Sequence, residues 1–67
     1  MRDEIKVLIA EHKMAMMEVR SLLEELSQID EVKLSYQEYE ALKELKSNYL
    51  MEVSMRELFI GQLEGLL

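Results

Sequence analysis

The sequence predicts an all-α protein, an antiparallel two-helix hairpin that dimerises into a four-helix bundle. Three observations carry this. Proline is absent and the two glycines, Gly61 and Gly65, stand near the end, so nothing breaks a helix before residue 60 outside one short central stretch. Leu, Glu, Met, Lys and Ala dominate the composition, and all are good helix formers. Apolar residues recur with helical spacing in two segments of similar length.

The first segment spans about residues 4–29. With Ile5 as heptad position a, that row holds Ile5, His12, Val19 and Leu26. Row d holds Leu8, Ala15, Leu22 and Ile29, and row e holds Ile9, Met16 and Leu23. His12 is the single polar exception. A stripe over a, d and e is wider than a strict coiled-coil seam and suits a bundle helix. Asp3 is placed as N-cap, with Glu4 in the first turn.

The periodicity breaks over about residues 30–35. Val32 and Leu34 alternate with polar neighbours there, so a short strand is the alternative to a plain turn. Ser35-Tyr36-Gln37-Glu38 then matches the capping box, in which a serine hydroxyl and a glutamate three residues on satisfy each other's amides.

The second segment spans about 36–64. Its a row is Leu42, Tyr49, Arg56 and Leu63. Its d row is Glu38, Leu45, Glu52, Phe59 and Leu66, and its e row is Tyr39, Lys46, Val53, Ile60 and Leu67. A tight turn near residues 32–33 would set residue i beside residue 65 − i. That register brings His12 opposite Val53 and close to Glu52 and Arg56. The three polar exceptions then form one layer, read as a device that fixes register and partner.

A second apolar set lies off the main stripes: Val7, Met14 and Met17 on the first helix, and Leu50, Met51, Met55 and Leu58 on the second. A two-helix hairpin has one mutual contact and cannot bury it. These seven residues are therefore the expected interface, with a second copy or another protein as occupant.

Composition narrows function. The 67 residues carry 14 acids and 8 bases, a net charge of −6, spread evenly over the two halves. No basic stripe exists to displace counterions from phosphates, so direct nucleic-acid binding is not expected, and neither is docking on an anionic membrane. The N-terminal residues are charged where an export signal would be apolar, and a cytoplasmic location is expected. Cysteine is absent. No Gly-rich phosphate loop and no nucleophile–His–acid set is present. Position 9, where a Glu-x-x-His metal motif would need Glu, is Ile9. No catalytic residue, metal ligand or cofactor is expected. The chain reads as an acidic protein–protein interaction module that binds itself and serves as adaptor or inhibitor of another protein. A purely structural subunit, or a regulator acting through a protein partner or by nucleic-acid mimicry, is the alternative.

Overall fold

A computed structural model describes residues 1–67. Helix α1 runs Arg2–Ser27, a single 3-10 turn covers Glu31–Lys33, and helix α2 runs Tyr36–Glu64. The two helices pack against each other as a hairpin. No helix is long and apolar enough to cross a membrane.

Helix α1 starts earlier than expected. The Ile5 amide donates to the Met1 carbonyl at 3.1 Å, so Met1 takes the cap position and Asp3 makes no capping bond. Asp3 and Glu4 instead lie in the first turn, where their charge complements the helix dipole. The helix also stops earlier, at Ser27 rather than Ile29. The Ser27 hydroxyl donates back to the Glu24 carbonyl at 2.6 Å, and Asp30 caps the next turn by accepting from the Val32 amide at 3.2 Å. That local alternative to helix is the usual behaviour of Ser and Asp. The same Asp30 cap makes residues 31–33 a 3-10 turn, not a strand.

The capping box forms in full. Ser35 accepts from the Glu38 amide at 3.1 Å, and Glu38 accepts from the Ser35 amide at 2.9 Å. The Ser35 amide, and secondarily its hydroxyl, hold the Glu38 carboxyl below its ordinary value of 4.5.

The register differs from the tight-turn expectation. His12 touches Arg56 and Phe59, three and six residues past Val53, and Arg20 pairs with Glu57, twelve residues past Leu45. The connector explains this. Glu31 bonds Lys46 at 3.1 Å, and Lys46 lies about 15 Å into α2 at 1.5 Å per residue. The connector thus runs alongside the first turns of α2, and α1 packs further along it. The resulting stagger makes the molecule 51 Å long, against about 43 Å for a 29-residue helix alone.

The core is thin. Ile5, Ile9, Met16 and Val19 of α1 meet Val53 and Ile60 of α2, with Leu23, Tyr49 and Leu63 packed around them. These belong to rows a and e. Row d is left at the edge, with Leu8, Leu22, Leu45 and Phe59 each about two-fifths exposed.

Ser35→Ala should destabilise the hairpin by about 1 kcal/mol, the usual value of an N-cap, measured by urea unfolding. Because the folded pKa of Glu38 is lowered, its contribution is complete above 4.5 and fades as pH falls through the lower folded value. Glu38→Gln should flatten that part of the pH–stability curve. A Cβ added at Gly61 would meet nothing within 4 Å. Gly61→Ala should therefore raise stability by about 0.8–1 kcal/mol, the helix-propensity difference.

Candidate interaction surface and polar layer

Each functional candidate sits on a regular helix, so 100° per residue fixes its direction. With rows a and e turned inward, row d lies on one flank of the hairpin. Val7 and Met14 of α1 stand outside that row, as do Met51, Met55 and Leu58 of α2. Met17 and Leu50 point to the opposite flank. There Met17 lies beside Lys13, Arg20 and Glu57, and Arg20 bonds Glu57 at 2.8 Å. All seven residues expected at the interface are at least half exposed. The structure thus sets Met55 beside row d, places Val7, Met14, Met51 and Leu58 on the outer face beyond row g, and puts Met17 and Leu50 on the opposite, charged flank.

The polar layer assembles around Arg56. Its Nε and Nη2 both donate to Glu52 Oε1 at 3.1 Å, and Nη1 lies 3.0 Å from His12 Nδ1. Guanidinium has no acceptor, so Nδ1 of His12 must accept and carries no proton in this arrangement. The other ring face leans on Phe59, with centroids 5.7 Å apart. Position spacing explains the grouping: Glu52 and Arg56 are four apart with the acid first, a favourable order on a helix, and the stagger delivers His12 to the pair. No buried side-chain polar atom in the structure lacks a partner. The layer is half-buried and opens onto the row-d flank, where a shallow groove is lined by Met51, Met55 and Phe59 together with Asn48 and the three polar residues themselves. No group of three or more His, Asp or Glu is placed to hold a metal ion.

The amount of exposed surface is itself a feature. A folded monomer of 7.9 kDa is expected to expose about 4,400 Å². This chain exposes 5399 Å², about 1,000 Å² more than that scaling. Only seven residues are buried, each still 7–9% exposed.

Sequence reasoning passed over one pattern that the structure makes legible. Glu4, Glu11, Glu18 and Glu25 recur every seven residues, forming row g of α1. All four are exposed, and none joins the ion pairs of the hairpin, which are Arg20–Glu57, Lys46–Glu31 and Arg56–Glu52. Row g of α2 is Ala41, Asn48, Met55 and Gln62, wholly uncharged. The heptad spacing was the available signal.

Comparison with known proteins found no matching family model and no match among curated proteins or solved structures.

Arg56→Leu extends the apolar a row and leaves His12 and Glu52 without their shared partner. Partly exposed ion pairs contribute little, so stability to urea should change by less than about 1 kcal/mol. The distribution of oligomers in sedimentation velocity should broaden, because a lone polar layer sets register and partner number. An unchanged single species would remove that role from the layer.

Proposed function

We propose that this chain is a small acidic protein–protein interaction module that self-associates, two hairpins pairing through their apolar flanks into a four-helix bundle. The observation that carries this reading is the exposed d row together with the surface excess. About 800 Å² per partner is the usual coverage of a stable interface, which the excess matches. Rows a and d are the core rows of helical bundles, and here half of that pattern is used within the hairpin. Leu8, Leu22, Leu45 and Phe59 supply the other half.

A second reading, adaptor or inhibitor of another protein, draws on Val7, Met14, Met51 and Leu58. They form row c, beyond row g on the outer face of each helix, and stay accessible when two hairpins pair. Methionine-rich surfaces adapt readily to a partner.

Light scattering across a concentration series should give twice the chain mass of 7.9 kDa. A 7.9 kDa particle throughout would overturn self-association. Leu22→Glu should dissociate the dimer while far-ultraviolet circular dichroism keeps the helical signal, since the residue is 41% exposed in the lone hairpin.

A further inference from the structure

The geometry points to one specific pairing, resting on the self-association proposed above: α1 of each hairpin lies against α2 of a second copy, with the two-fold axis along the bundle. Antiparallel neighbours in a bundle flank their a/d core with matching rows, e against e on one side and g against g on the other. The e rows are already spent inside the hairpin, where Ile9 and Met16 meet Val53 and Ile60. The second copy therefore meets the g rows.

Two antiparallel arrangements remain, and charge separates them. If α1 faced α1 of the other copy, Glu4, Glu11, Glu18 and Glu25 would confront the same four glutamates. Like charges in that position are a known device for excluding a partner. If α1 faces α2, those glutamates instead meet Ala41, Asn48, Met55 and Gln62, which carry no charge. An axis along the bundle also sets both copies level. Their His12–Arg56–Glu52 groups then share one core layer, with two arginines balanced by two glutamates. The occupant of this flank is thus a second copy of this chain, and the chain's surface excess over a compact monomer is of the order of a standard interface.

The sign of one engineered change tests this. Asn48→Lys with Gln62→Lys places lysines in row g of α2, where both residues are exposed. In the α1-against-α2 arrangement they meet the glutamate row and create four ion pairs between copies. The dimer dissociation constant at low salt should fall about sixteenfold, roughly a factor of two for each exposed pair, and the gain should shrink with added salt. Ser47→Lys with Ser54→Lys makes the same change in net charge on exposed positions away from row g and serves as reference. In the α1-against-α1 arrangement the new lysines face each other, and the dimer weakens. A weakened dimer, or one no tighter than the reference pair, overturns the proposed pairing. Wild type remaining 7.9 kDa at every concentration would instead overturn self-association itself.

Discussion

The structure depends on a limit of geometry: two helices share one line of contact. Each helix here carries an apolar stripe three rows wide, and one line of contact cannot cover three rows. Rows a and e win because together they wrap the seam between α1 and α2. Row d is left at the margin. The thinness of the core follows, as does the large exposed area, and so does the exposure of row d along one flank. The Arg20–Glu57 pair closes the charged flank. On the other flank only the Arg56–Glu52–His12 cluster spans the seam, and row d stays exposed beside it.

Against that background Arg56 has a special place. It occupies an a position, where an aliphatic side chain would add burial. Instead its guanidinium holds Glu52 and His12 together across the seam. A half-buried cluster of this kind contributes little net stability, since desolvation offsets attraction. Sliding α1 by two turns along α2 would take His12 out of reach of the guanidinium and set it against Leu63 or Tyr49.

The parts legible in the sequence were those decided locally. The capping box was readable because its two hydrogen bonds span three residues. Both helices were readable because their apolar spacing is sustained. The Arg56 cluster was half readable: the Glu52–Arg56 spacing lies within one helix, and His12 breaks its row visibly. The register was not readable, because it depends on the path of the connector and on Glu31 reaching Lys46 fifteen residues away. The ends of α1 were set by hydrogen bonds of Met1 and Ser27 that other residues could have made. Met17 and Leu50 were grouped with the other apolar residues because flanks have no identity until one row is known to face inward. The glutamate row was in plain view, but its meaning also waited on that knowledge.

The path of the connector has a kinetic consequence. Bonds near the closed end, such as Glu38 to Ser35 and Lys46 to Glu31, bridge 3 and 15 residues. Arg20–Glu57 and His12–Arg56 bridge 37 and 44. Loop-closure entropy rises with the length enclosed, so the closed end is the cheapest place to begin and the hairpin zips outward from it. His12 reaches Arg56 near the end of that process. Because His12 and Arg56 lie on different helices, their contact forms only when the turns nearer the connector are in register.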